Sequence, residues 1–201
     1  MRTPFQKYVE NFKRNLVIHN ITDEDEIMSK IRTTDIVFFD DCTYDQFRFI
    51  SDNIDYLSKN TIVIGFSTGL YRKDDDVPLT GITTKQLHDE FHEGNNDFKR
   101  GFMSISEIKT LKNLENVYIA LHGHDHLFLE DKNLYERSVI FREELRKSMK
   151  FLETVGISTN IFVYPYDFSD CLGDNILRKN GFYHVYPSKE RRRIYIEDLI
   201  R

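Results

Sequence analysis

The alternation of two residue patterns constrains this chain more than anything else in it. Four short apolar runs, Ile36–Phe39, Thr61–Phe66, Val117–Leu121 and residues 161–164, are β-branched or aromatic and bounded by polar or turn residues. Runs of that length and type read as buried strands. Longer amphipathic segments separate them. Residues 44–57 place Phe47, Ile50, Ile54 and Leu57 three and four apart, and Ser104 with Glu107 makes a capping-box pattern ahead of Ile108 and Leu111. The clearest helix spans about 133–155, with Leu134, Phe141, Leu145, Met149 and Leu152 as its core stripe and Gly156 at its C-cap. Strands alternating with helices predict an α/β protein.

Two segments depart from this rhythm. Residues before Asp35 read as one or two helices, the second capped by Thr22 with acids 23–26 in its first turn, forming a helical extension over 1–33. Residues 71–101 carry Asp74 to Asp76, Pro78 and the turn cluster Gly94-Asn95-Asn96-Asp97. They read as a long loop or insertion around a short helix near 84–91. With no repeat or low-complexity linker, the 201 residues are expected to form one domain.

Charge narrows the partners. With 28 Lys and Arg against 33 Asp and Glu, the net charge is -5, so no broad basic field exists for nucleic-acid binding. The short basic run at 189–193 reads as a solvated face. The 2 cysteines, Cys42 and Cys171, make no disulfide framework. No apolar stretch approaches the roughly 20 residues of a membrane span, and residues 1–16 lack the apolar centre of a signal peptide. A cytoplasmic protein without membrane or nucleic-acid partners is expected.

Three strand ends carry the chemistry. Asp40 and Asp41 follow a buried run directly, where charge is costly unless it is used or paired. One carboxylate can hold a cation while its neighbour accepts a proton; equally, an Asp there can cap the next helix. After the third strand, His122-Gly123-His124-Asp125-His126 packs three of seven histidines into five residues. Histidines four apart put two imidazoles on one side of a turn, the spacing zinc sites exploit. Tyr164-Pro165-Tyr166 turns sharply at the proline and presents a following N–H that can face an oxyanion. His88 and His92 are also four apart, but the Glu of a zinc-protease signature is one place late, so they read as polar residues of a helix surface.

In order, these strand ends resemble the motifs of the polysaccharide deacetylase family. The likeness covers roughly 35–196: Phe38-Phe39-Asp40-Asp41-Cys42 is similar to the first motif, His122 to His126 to the second, and Phe162 to Asp167 to the third. The resemblance implies a distorted, incomplete parallel (β/α) barrel with its site at the C-terminal strand ends. It implies Asp40 as general base, Asp41, His122 and His126 as ligands of one divalent ion, with zinc expected, and the Tyr166 N–H as a substrate contact. The implied reaction is metal-assisted hydrolysis of an N-acetylated sugar or related small amide. The chain departs from the family at Cys42, Phe38, Gly123 and Val163, and lacks its late acid motif. His184 is the only histidine after His126 to stand in for that acid. Two other readings stay open: a calcineurin-like metallophosphoesterase, suggested by Gly123-His124-Asp125-His126, and a non-catalytic metal-binding domain of the deacetylase fold.

Overall fold

A computed structural model describes residues 15–33, 35–168, 170–182, 184–186 and 194–195. In chain order the elements are β1 (Asn15–Ile18), α1 (Glu24–Lys30), β2 (Ile36–Phe39), α2 (Tyr44–Asp52), α3 (Ile54–Leu57), β3 (Thr61–Phe66), α4 (Thr84–His92), α5 (Ile105–Lys112), β4 (Val117–Leu121), α6 (Leu134–Val155), β5 (Ile161–Val163), α7 (Cys171–Lys179), β6 (His184–Tyr186) and β7 (Ile194–Tyr195). Strand order in the sheet follows chain order, β1 to β7. β1 pairs parallel with β2 from Asn15↔Ile36 to Ile18↔Phe39, and β2 parallel with β3 from Ile36↔Thr61 to Phe39↔Ile64. β4, β5 and β6 are also parallel, while β7 turns antiparallel on β6. Every residue of β2 and β3 is buried, the signature of parallel strands covered on both faces.

The chain divides into two compact units, residues 1–64 with 71–118, and residues 65–70 with 119–201. In the first, Phe38, Phe39, Phe49, Ile62, Phe102 and Leu111 fill the core, with the Phe39 and Phe49 rings 5.9 Å apart. The helix expected over 44–57 is two helices. Asn53 leaves helical geometry (φ -114, ψ 18) while its side-chain amide and its N–H both take the Phe49 carbonyl, a local competition that ends α2. The excursion after β3 is held at its root by buried Arg72, whose guanidinium meets Glu107 and the Asp76 carbonyl.

The N-terminal expectation needs correction. Residues 15–18 are not part of an outer helical extension but the first strand of the sheet; Leu16, Val17 and Ile18 gain more by pairing with β2 than from a helix they are too few to sustain. The following helix forms one residue later than expected, because Asp23 rather than Thr22 accepts the Glu26 N–H.

In the second unit α6 starts on an Asn133–Glu136 capping box and stops at Gly156, whose φ of 71 is the left-handed C-cap. Its buried face is Phe141, Glu144, Leu145, Ser148 and Leu152. Leu134 and Met149, assigned to the core stripe from the sequence, are 61% and 40% exposed. Met149 lies one position past Ser148, about 100° around the helix, and two polar residues hold the places that an apolar pattern could not reveal. Among the described residues no helix is long and apolar enough to cross a membrane.

Candidate functional site

In the first unit β2 delivers Asp40 and Asp41, both buried. Asp41 (φ 77) and Cys42 (φ 58) are consecutive left-handed residues that are not glycine. Such backbone costs about 1–3 kcal/mol per residue and persists only where the surroundings enforce it. Here they do: the Met103 N–H donates to the Cys42 carbonyl (2.8 Å), the Cys42 thiol lies 3.4 Å from the Met103 sulfur, and Thr43 caps α2. Burial, with the charges of Glu107 and Asp41 added, pushes the Cys42 thiol pKa up, so it stays a neutral packing group.

The Asp41 carboxylate is approached by two histidines. Its Oδ1 lies 2.9 Å from His88 Nε2, and its Oδ2 lies 3.8 Å from Nδ1 of His19, a side chain 50% exposed just beyond β1. His88 is buried, tilted against Phe102 at 5.5 Å. The surface reading of the His88–His92 pair therefore holds for exposed His92 and fails for His88. The signal was present: His88 shares the buried face of α4 with Thr84 and Leu87, three and four residues apart.

In the second unit β4 delivers His122, also buried. Its Nδ1 lies 2.8 Å from the Val163 carbonyl, which can only accept, so Nδ1 carries the hydrogen and Nε2 presents its lone pair. His126, in a left-handed turn (φ 53), places its own Nε2 at 3.1 Å from His122 Nε2. Two imidazole nitrogens sharing one zinc-like ion at about 2.0–2.1 Å stand roughly 2.9–3.4 Å apart. The pair fits a common cation.

The loop carrying the pair is tightly held. Glu144 Oε2 accepts the N–H groups of His124 (3.0 Å) and Asp125 (2.8 Å), Ser67 donates to the His122 carbonyl, and Gly69 N–H donates to the His124 carbonyl. Gly69 must be glycine, since a Cβ there would sit 2.6 Å from Asp125 Oδ1 and 2.9 Å from the His124 oxygen. Burial raises the Glu144 pKa, and its two N–H donors offset part of that rise. His124 is not one of the pair: its Nδ1 meets the Thr68 hydroxyl at 2.8 Å.

Tyr166 stands after β5 with φ 56 and is 46% exposed; its ring lies 4.6 Å from that of His126. The backbone of His184 lies in β6, and its side chain falls outside the described residues. The structure thus joins His122 to His126 and sets Tyr166 beside them. It adds His19 and Glu144, which sequence reasoning passed over, and His88, which that reasoning placed on a helix surface.

No protein-family model and no curated protein sequence matches the chain. Solved structures do. IcaB from Ammonifex degensii aligns at 21% identity and TM-score 0.57, over 92% of this chain and 75% of its own. A de-N-acetylase from Aggregatibacter actinomycetemcomitans aligns at 12% identity and TM-score 0.56, over 90% and 74%. The deacetylase domain of BpsB from Bordetella bronchiseptica aligns at 13% identity and TM-score 0.54, over 88% and 72%. Parallel strands β1 to β3 and β4 to β6, with helices between them, match the fold expected from the sequence. The fold of this chain is the incomplete (β/α) barrel of the polysaccharide deacetylases.

Proposed function

We propose that this protein is a divalent-metal-dependent hydrolase that removes the acetyl group from an N-acetylated sugar, with Asp41, His122 and His126 as the metal ligands. The observation that carries the reading is the imidazole pair, with Nε2 atoms 3.1 Å apart and the His122 lone pair fixed by Val163. One buried carboxylate and two imidazoles form a donor set suited to zinc, with coordination positions left over for water and substrate. The deacetylase fold supports the same reaction class.

Asp41, His122 and His126 would hold a cation that, when bound, would polarise an acetamide carbonyl and lower the pKa of a bound water. The protein does the rest. Asp40 accepts the water's proton as the carbonyl carbon is attacked. The Tyr166 N–H donates to the carbonyl oxygen as negative charge grows on it. His88 holds Asp41 Oδ1, so Oδ2 is the oxygen that would be offered to a cation. His19, half exposed at the end of β1 and 3.8 Å from Asp41, is the group we assign to return a proton to the departing amine.

Elemental analysis of wild type and His126→Ala tests the ligand set: zinc should be near one per chain in the first and lost from the second. Acetate release from N-acetylated amino sugars, run beside a generic phosphodiester, tests the chemistry. Phosphodiester turnover with no acetate release would replace the deacetylase reading with a phosphoesterase one. His124 falls outside the Asp41, His122 and His126 group, which speaks against that outcome, since a phosphoesterase would need His124 among its ligands.

A further inference from the structure

α6 buries a carboxylate where its core face calls for an apolar side chain. Glu144 lies among Phe141, Leu145 and Leu152 on that face, with its side chain only 8% exposed. Burying a charge there is costly unless it is bonded. Its Oε1 faces Lys147 Nζ at 3.8 Å, while Oε2 accepts two consecutive N–H groups of the histidine loop, those of His124 and Asp125. Ser148, one turn further along the same face, lies 3.1 Å from the Thr68 hydroxyl, which itself lies 2.8 Å from His124 Nδ1. The buried polar strip of α6 is therefore directed at one loop.

That loop lacks the device that ordinarily spaces two histidines four apart. In a helix the turn itself sets both rings on one side. Residues 122–126 are not helical, and Gly123 (φ 84) and His126 (φ 53) are left-handed. The 3.1 Å separation of the two Nε2 atoms must then be imposed from outside the loop. The segment after β3 supplies part of the hold: Thr68 N–H donates to the Gly123 carbonyl and Gly69 N–H to the His124 carbonyl. Those bonds fix carbonyls, whereas Glu144 fixes amides midway between the two imidazole-bearing residues. We infer that Glu144 is a positioning residue for the cation site: by bonding the peptide between His122 and His126 it sets the spacing of their Nε2 atoms. Cation affinity then depends on the reach of the Glu144 side chain and not on its charge. This rests on the reading of His122 and His126 as ligands, and not on acetamide chemistry.

Zinc affinity by competitive titration and the visible spectrum of the cobalt(II) form are compared in wild type, Glu144→Gln, Glu144→Asp and Glu144→Met. Glu144→Gln keeps the length and an acceptor oxygen without the charge. Glu144→Asp keeps the charge one methylene shorter, and Glu144→Met keeps the volume without a strong acceptor. Glu144→Gln should bind zinc as wild type does and keep its cobalt spectrum. Glu144→Asp and Glu144→Met should bind zinc about 10- to 100-fold more weakly, the range for a lost outer-shell partner, with altered cobalt bands. A purely structural role would lower the unfolding temperature of the metal-free variants and move neither readout. Should Glu144→Met fail to fold, Glu144→Gln against Glu144→Asp decides alone. Wild-type affinity in Glu144→Asp, or a weakening in Glu144→Gln as large as that in Glu144→Asp, overturns the positioning role. A wild type that binds no zinc overturns the ligand set and this role with it. Absence of acetate release from a wild type that does bind zinc counts against the deacetylase reading alone.

Discussion

Asp41 is held in a strained backbone, and its carboxylate is gripped by a histidine from a helix more than forty residues later in the chain. Hydrogen bonds to a ligating carboxylate orient it and typically change metal affinity about 10- to 100-fold when lost. Replacing His88 with Phe keeps an aromatic against Phe102 but removes the donor, whereas His88→Gln retains an N–H. Zinc titration should show His88→Phe weakened by an order of magnitude and His88→Gln falling between it and wild type; equal affinity in the two variants would reduce His88 to packing. The adjacent acids divide in the same assay. Asp41→Asn should lose clearly more zinc affinity than Asp40→Asn, while Asp40→Asn should keep zinc and lose about 100- to 10,000-fold in rate. A reversed order of affinities would swap their roles. Asp40, Asp41, His122 and His126 were legible because each follows an apolar strand closely, where charge or imidazole is conspicuous. His88 misleads: its spacing puts it on one face with Thr84 and Leu87, but a polar residue on that face reads as part of the solvent side.

α6 shows where periodicity misleads. Its buried face includes Glu144 and Ser148, which an apolar pattern passes over in favour of Met149. Urea denaturation should therefore cost about 2–5 kcal/mol for Leu145→Ala, a buried position, and well under that for Met149→Ala. Similar losses at both would mean the face is misassigned. Glu144 stays buried because it accepts the His124 and Asp125 N–H groups that shape the histidine loop. Burial raises its pKa above the ordinary 4.5, so the folded state holds the proton more tightly than the unfolded chain does. That contribution to stability is complete below pH 4.5 and is lost as pH rises through the raised folded value. Glu144→Gln preserves an acceptor oxygen and does not titrate, so its unfolding free energy should lack the part of the decline that wild type shows from about pH 4.5 upward. Parallel pH profiles would show that Glu144 carries no such linkage. Two helix ends, by contrast, were readable to the residue: the Ser104 box and the Gly156 cap are local hydrogen-bond chemistry that needs no tertiary context.

Across the molecule, the strands β2, β3 and β4 coincide with their apolar runs, because continuous burial on both faces leaves an unmistakable pattern. β1 escaped notice: four residues beginning with Asn carry too little pattern alone, and its pairing with β2 is a long-range fact. The polar residues assigned to function follow the C-terminal ends of β1, β2, β4 and β5, where parallel α/β folds place their chemistry. That arrangement and the deacetylase fold support our proposal that one divalent cation is held by Asp41, His122 and His126. Anomalous diffraction from zinc-loaded crystals, recorded on both sides of the zinc absorption edge, tests it most directly. One strong peak is expected within coordination distance of an Asp41 oxygen and of Nε2 on both His122 and His126. A peak that excludes Asp41 or takes His124 in place of His126, or no peak at all at full zinc loading, would contradict it.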